Sequence, residues 1–245
     1  MVLINAIVGS IQEGRAERAL PAQRGGRMMR CIRRMLFCLF AAGGALVHPT
    51  TAAETQIWRG NFLVGRPGAM FSPCRTGERL SLEDATPDRA LEAAYRELAR
   101  RPGRPIFVEF AGQRDGTRIR ATRFERAQAE GPGCREALAD VRLRAYGFNP
   151  FIQLEARASS VLLRQSPASA PLEYAGAALR LVDGEARYEG VTADSVLRLR
   201  VRATPCREAL SSAIFSYEAL LEVDGARYAI CAYWGDFGPI PDLPR

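Results

Sequence analysis

The chain is 245 residues long with a formal net charge of +7, and all 34 of its basic residues are arginine; lysine is absent and His48 is the only histidine. From residue 54 onward 27 arginines face 25 acids, Met70 is the one methionine, and histidine and lysine are both missing. That part of the chain therefore has no route to Ser-His-Asp or Cys-His catalysis, lysine Schiff bases, a P-loop lysine or histidine metal sites. A net charge of +2 offers little field to nucleic acid or an anionic membrane.

Met28-Met29-Arg30-Cys31-Ile32-Arg33-Arg34 leads into an apolar run over 35–47 and then Thr50-Thr51-Ala52-Ala53. Basic, apolar and small residues in that order predict a secretory signal peptide over 28–53, cut after Ala53 or Ala52. The run is shorter than the roughly 20 apolar residues of a spanning helix, so no membrane anchor is expected. Residues 1–27 fit nothing downstream, and Met28 or Met29 is expected to be the true start. Arg24-Gly25-Gly26-Arg27 is what a purine-rich ribosome-binding site encodes when read through.

Four cysteines follow the leader: Cys74, Cys134, Cys206 and Cys231. In an exported chain an even count predicts disulfides, and four cysteines allow three pairings. If each domain closes its own, the pairs are Cys74 with Cys134 and Cys206 with Cys231. No C-x-x-C spacing points to a thiolate metal or redox site, and no cofactor is expected.

A first domain is expected over 54–140. Strands over 57–64, 69–71 and 80–82 are separated by Gly65-Arg66-Pro67-Gly68 and Cys74-Arg75-Thr76-Gly77. Thr86 then reads as a helix N-cap with Pro87 at the first helical position. Leu91, Tyr95 and Leu98 recur on one face, Arg100 and Arg101 suit the last turn, and Pro102-Gly103 stops the helix. A fourth strand follows at Ile106, Phe107, Val108 and Phe110. Asp115-Gly116 reads as a hairpin turn and 117–124 as a fifth strand. The order β-β-β-α-β-β predicts an OB-fold of five strands plus one helix.

Several segments of this domain resemble the C-terminal OB domain of the NlpE family of envelope lipoproteins. They are Trp58-Arg59-Gly60-Asn61-Phe62, the run 69–79 with its Cys74-Arg75-Thr76-Gly77 turn, Leu91-Glu92-Ala93-Ala94-Tyr95 and Pro105-Ile106-Phe107-Val108-Glu109. That family carries a C-x-T-G-[KR]-like turn, a helix containing L-E-x-x-Y, and a cysteine beyond the last strand, the place of Cys134 here. The resemblance implies a Cys74 to Cys134 disulfide and a role in envelope stress or surface sensing. Cys38 follows Phe37, not the small residue that lipidation requires, so no lipid anchor is expected. The family's cysteine-bearing N-terminal barrel has no counterpart, so copper handling is not carried over.

A second domain, an antiparallel β-barrel or sandwich, is expected over 141–238, with a tail at 239–245. Its strands are read near 142–147, 151–156, 160–164, 177–182, 186–190, 196–202, 215–222 and 226–233. Leu197, Leu199 and Val201 alternate with Arg198, Arg200 and Arg202, the pattern of a half-buried strand. Asp183-Gly184 and Asp224-Gly225 read as tight hairpins. Three segments resemble a family of uncharacterised bacterial envelope proteins with a G-N-E-P-F-W motif, a C-x-D-x-M-S turn and a closing G-C-[AG]. These are Tyr146-Gly147-Phe148-Asn149-Pro150-Phe151, Cys206-Arg207-Glu208-Ala209-Leu210-Ser211-Ser212 and Tyr228-Ala229-Ile230-Cys231-Ala232. Ile152 stands in place of its tryptophan. Cys-Arg-Glu-Ala-Leu occurs at 134–138 and again at 206–210, read as two disulfide-anchored turns.

The sequence thus points to an exported periplasmic protein that binds or senses at the envelope without catalysis, its partner an envelope protein or glycan. Arg118, Arg120, Arg123 and Arg126 read as a solvated edge stripe on the fifth strand, the alternative being a surface for an acidic glycan or protein, and Trp58 as core packing or a sugar platform. A rival reading is a carboxylate glycan hydrolase using two among Glu109, Glu125, Glu155 and Glu222, each a surface charge by strand alternation. A third is an inhibitor of a hydrolase.

Overall fold

The computed structural model describes residues 55–101 and 103–244; the expected signal peptide, the segment 1–27, Cys38, His48 and the cut at Ala53 lie outside them. The chain is mainly β. β1 (Gln56–Val64), β2 (Ala69–Pro73) and β3 (Leu80–Asp84) form a meander, α1 (Ala90–Leu98) follows, and β4 (Ile106–Asp115) and β5 (Arg118–Gln128) make a hairpin. β3 pairs with β5 in parallel and β4 returns to β1, which closes a five-stranded OB-like barrel. Phe62, Phe71, Leu80, Val108, Phe110 and Ile119 fill it, and Leu91, Tyr95 and Leu98 of α1 plug one end.

The helix begins later than its sequence signals suggest. Pro87–Arg89 forms only a short 3₁₀ turn, because Asp88 and Arg89 take φ of 54° and 51° and break the spiral before Ala90. Thr86 and Asp84 share the capping: the Thr86 Oγ1 accepts from the Ala90 amide at 2.8 Å, and Asp84 accepts from the Thr86 amide at 3.1 Å through Oδ1 and from the Glu92 amide at 2.9 Å through Oδ2. The helix ends at Leu98, so Arg100 and Arg101 lie past its last turn.

The second half contributes β6 (Leu143–Phe148), β7 (Phe151–Ala156), β8 (Ser160–Arg164), β9 (Leu172–Ala175), β10 (Arg180–Val182), β11 (Glu185–Val191), β12 (Val196–Arg202), β13 (Cys206–Arg207), β14 (Ile214–Phe215), β15 (Tyr217–Val223) and β16 (Ala226–Trp234). Nine of these form one antiparallel sheet in the order β10-β11-β12-β15-β16-β6-β7-β8-β9. It curls into a half-barrel around Leu154, Val161, Tyr174, Tyr188, Leu199, Leu221 and Trp234. The strand expected over 177–182 forms only as β10, Arg180–Val182, and β9, Leu172–Ala175, precedes it where no strand was expected. The half-barrel closes tightly at Gly190 of β11, where a Cβ would lie 2.6 Å from the Cβ of Tyr174 on β9. Both Asp-Gly hairpins form, with φ of 51° and 75° at Asp183-Gly184 and 49° and 84° at Asp224-Gly225.

The remaining two strands leave their own half. β14 pairs with β5 (Ile214 opposite Ala127, Phe215 opposite Arg126) and β13 pairs with β14, extending the first sheet. Nothing in the alternation pattern marks this crossing. It covers the end of β5 and buries it completely from Phe124 to Gln128.

Candidate functional site

Burying the end of β5 buries its charges. Arg126 is 1% exposed and donates from Nε to Glu109 at 2.9 Å and from Nη2 to Glu136 at 2.7 Å. Its guanidinium carbon lies 3.8 Å from the ring centroid of Tyr233 and 4.9 Å from that of Phe107. Glu109 also accepts from Arg59 at 2.9 Å, and Arg59 goes on to Asp236 and the Trp234 carbonyl. On the other side Glu136 accepts from Arg144 at 2.7 Å and from the Tyr233 hydroxyl, Arg144 donates to Glu155 at 2.5 Å, and Arg157 closes the row on Glu155 at 3.0 Å. The result is a chain of alternating charge through the contact between the two sheets. A buried ion is tolerable only with partners on this scale.

The electrostatics follow. Burial alone would lower the Arg126 pKa, but Glu109 and Glu136 carry it above its ordinary range. Burial alone would raise the Glu136 carboxyl, yet Arg126, the Tyr233 hydroxyl and Arg144 hold it below the usual carboxylate range. Tyr233 is pushed well up by burial and stays neutral, so its hydroxyl donates. Glu125 goes the other way: burial raises it, opposed by Arg123 at 2.5 Å.

This polar joint floors a cleft of about 290 Å³ between the sheets, lined by Arg126, Gln128, Glu136, Arg144, Tyr146, Phe148, Phe151, Gln153, Ser211 and Tyr233. Its walls are mostly apolar. Tyr146 stands between Phe148 (ring centroids 5.4 Å) and Phe215 (5.4 Å), Phe215 stacks on Tyr233 at 5.8 Å, and Phe148 meets Phe151 at 6.3 Å. Phe148 is 43% exposed at the rim, and the buried Gln128 Nε2 has no hydrogen-bond partner. A large exposed aromatic beside an unused buried donor marks a surface suited to a ligand.

Both disulfides serve this cleft. Cys74–Cys134 (Cα–Cα 5.2 Å) fixes the turn Gly133–Arg135 just before Glu136. Cys206–Cys231 (Cα–Cα 5.4 Å) ties β13 to β16 at the root of the loop carrying Ser211. Glu208 shapes that loop, its Oε2 accepting from the amides of Leu210 at 3.0 Å and Ser211 at 2.6 Å and from the Ser211 hydroxyl at 2.8 Å. The first Cys-Arg-Glu-Ala-Leu segment thus places Glu136 in the cleft lining, and the second runs into Ser211, which also lines it. Each contributes a carboxylate: Glu136 in the cleft floor and Glu208 holding the loop of Ser211.

The arginine stripe on β5 breaks up. Arg118 and Arg120 are exposed, but Arg126 is the most deeply buried cation described, because register shifts in the β4–β5 ladder at Glu109/Phe110 and Ala111/Gly112 and the arrival of β14 remove the solvated face. For the same reason Glu109 and Glu125 are each 1% exposed and are not surface charges. Glu155 and Glu222 are each clamped by two arginines. Trp58 is partly buried, edge-on to Phe71 at 6.3 Å, its Nε1 donating to the Gly112 carbonyl at 3.3 Å. Among the described residues no group of three or more His, Cys, Asp or Glu stands together to hold a metal, and no helix is long and apolar enough to cross a membrane. Sequence reasoning missed Arg126, Glu136, Arg144 and Tyr233 as a unit. Their one sequence-level signal was the repeated Cys-Arg-Glu motif.

No protein-family profile, no curated protein and no solved structure matches this chain.

Proposed function

We propose that the chain is an exported, non-catalytic binding protein of the bacterial envelope, acting in the periplasm as a sensor or capture module. The cleft beneath Phe148 is its ligand site. The observation that carries this reading is the cleft itself: an aromatic wall over an ionic floor, with the loops on both sides held by disulfides. Two disulfides suit an oxidising compartment, the basic-apolar-small leader suits export, and the resemblance to the NlpE OB domain favours envelope stress or surface sensing. The cleft's size and walls suit an apolar or aromatic side chain of an envelope partner, with Gln128 free to donate to a carbonyl on it.

A glycan hydrolase has less support. Glu109, Glu155 and Glu222 each sit between two arginines, which favours a structural role. A glycan-release assay on peptidoglycan is expected to show no product.

The test is site-specific photocrosslinking in cells expressing the full chain with its own leader, with benzoylphenylalanine in place of Phe148 or, as control, Glu173. The expected result is a processed periplasmic protein carrying an adduct at 148, absent at 173 and diminished by Phe151→Ser. Unprocessed cytosolic protein, or equal labelling at both positions, would refute the reading.

A further inference from the structure

The outer face of the half-barrel carries an arrangement that the cleft does not use. Cross-strand register sorts its side chains into three rows, of which the middle one runs across all of β10, β11, β12, β15 and β16. One row reads Glu189, Arg198, Glu222, Arg227 and another Val182, Glu185, Arg202, Glu218; both mix signs. They close on themselves through Arg198–Glu222 at 3.1 Å, Arg227–Glu222 at 3.0 Å, and Arg202 with Glu185.

The row between them reads Arg180, Arg187, Arg200, Leu220 and Ala229. It holds three cations and no acid. Directly opposed like charges destabilise a sheet, and only Arg187 finds relief, from Glu185 at 3.0 Å and Asp183 at 3.4 Å. Arg180 and Arg200 are exposed and make no ion pair among the described residues. A groove of about 610 Å³ runs over Arg187, Arg200, Leu220 and Ala229 and takes in the neighbouring row from Glu189 to Arg227; Arg180 continues the arginine row outside that lining.

We infer that this row docks an extended acidic peptide segment of a partner protein, its carboxylates over Arg200, Arg187 and Arg180 and an apolar side chain over Leu220 and Ala229. Three features select that occupant. Arginine presents a fork matched to carboxylate, so each head group gains two parallel hydrogen bonds. The strip lies between rows in which Arg198, Arg227 and Arg202 alternate with Glu189, Glu222, Glu185 and Glu218, so carboxylates carried along one extended chain match it better than a uniformly anionic surface such as a membrane. The strip ends on an apolar floor, which a peptide fills and inorganic phosphate does not. This site is independent of the cleft.

The experiment uses the processed full chain and a fluorescein-labelled peptide, Glu-Thr-Glu-Thr-Glu-Val-Leu, read by anisotropy. Binding is expected to saturate, to weaken with salt, and to vanish for the peptide with Gln in place of Glu. Arg200→Gln and Arg180→Gln are each expected to raise Kd about three- to fivefold, the yield of one exposed ion pair, while Arg164→Gln, on β8, leaves it unchanged. Equal binding of the Gln peptide, no effect of Arg200→Gln, or displacement by millimolar phosphate or by anionic phospholipid vesicles as effectively as by unlabelled peptide would overturn the inference. Both substituted arginines are exposed, and unaltered thermal unfolding of each variant confirms that it folds.

Discussion

Tyr233 touches both members of one buried ion pair: its ring faces the Arg126 guanidinium at 3.8 Å, and its hydroxyl donates to Glu136, which itself binds Arg126 at 2.7 Å. Arg126 comes from the barrel, Tyr233 from the half-barrel and Glu136 from the segment joining them. A single joint therefore couples both sheets and floors the cleft.

Arg126→Met removes the most buried cation from between two buried carboxylates, leaving Glu109 with Arg59 alone and Glu136 with Arg144 and the Tyr233 hydroxyl. The expected loss is roughly 3–5 kcal/mol by urea denaturation, the range for breaking a buried pair. Adding Glu109→Gln and Glu136→Gln to Arg126→Met is expected to recover a large part of it. A loss below about 1 kcal/mol for the single variant, the size of an exposed pair, would contradict the burial described.

The disulfides close loops of 60 and 25 residues. In the chain-entropy account, replacing Cys74 and Cys134 by Ser costs about 4 kcal/mol and replacing Cys206 and Cys231 about 3.5 kcal/mol. Each double variant is also expected to weaken the Phe148 crosslink, since each frees a loop lining the cleft. Denaturation under non-reducing conditions and crosslink yield check the two effects separately.

Acid weakens the joint through Glu136. Its folded pKa lies below the ordinary 4.5, so between those values the unfolded chain holds a proton that the native one does not, and stability rises with pH. The contribution is present above the ordinary value and lost as pH falls through the lowered one; Glu136→Gln is expected to flatten that acid limb. Glu125 has the opposite sign. Its folded pKa lies above 4.5, so its contribution is present below the ordinary value and lost as pH rises through the raised one. Glu125→Gln is expected to remove this loss. Urea midpoints between about pH 3 and about pH 7 separate the two.

Gly190→Val tests the closure of the half-barrel. The new side chain would meet Tyr174 at a distance no core tolerates, and Tyr174 is held by its hydroxyl on Ser195 at 2.7 Å. Overpacking of this kind costs about 1–3 kcal/mol. A variant as stable as the parent by thermal unfolding would show that β9 does not press on β11.

The barrel was readable because its signals are local. The apolar run of β1, alternation in β5 and the Leu91-Tyr95-Leu98 face each depend on residues a few positions apart, as do alternation in β12 and the Asp183-Gly184 and Asp224-Gly225 turns of the half-barrel. The errors came where a backbone choice or a distant contact overrules local pattern. Asp88 and Arg89 take positive φ and delay α1 to Ala90, a backbone choice that no cap or proline signal announces. Glu109, Glu125 and Arg126 read as surface charges because alternation assumes one wet face, and β5 lost that face to β14.

The sequence alone determined the strand-rich composition, the OB-like order β-β-β-α-β-β and the cysteine count, since hydrophobic period, turn residues and cysteine number act within short reach or by simple inventory. The tertiary structure alone decided which cysteines pair and which arginines are buried. It also decided that Tyr146, Phe148 and Tyr233 converge on a cleft, and that Arg180, Arg187 and Arg200 line up without an acid among them. Those outcomes depend on the register between strands, and register is fixed by packing the whole sheet rather than by any one segment.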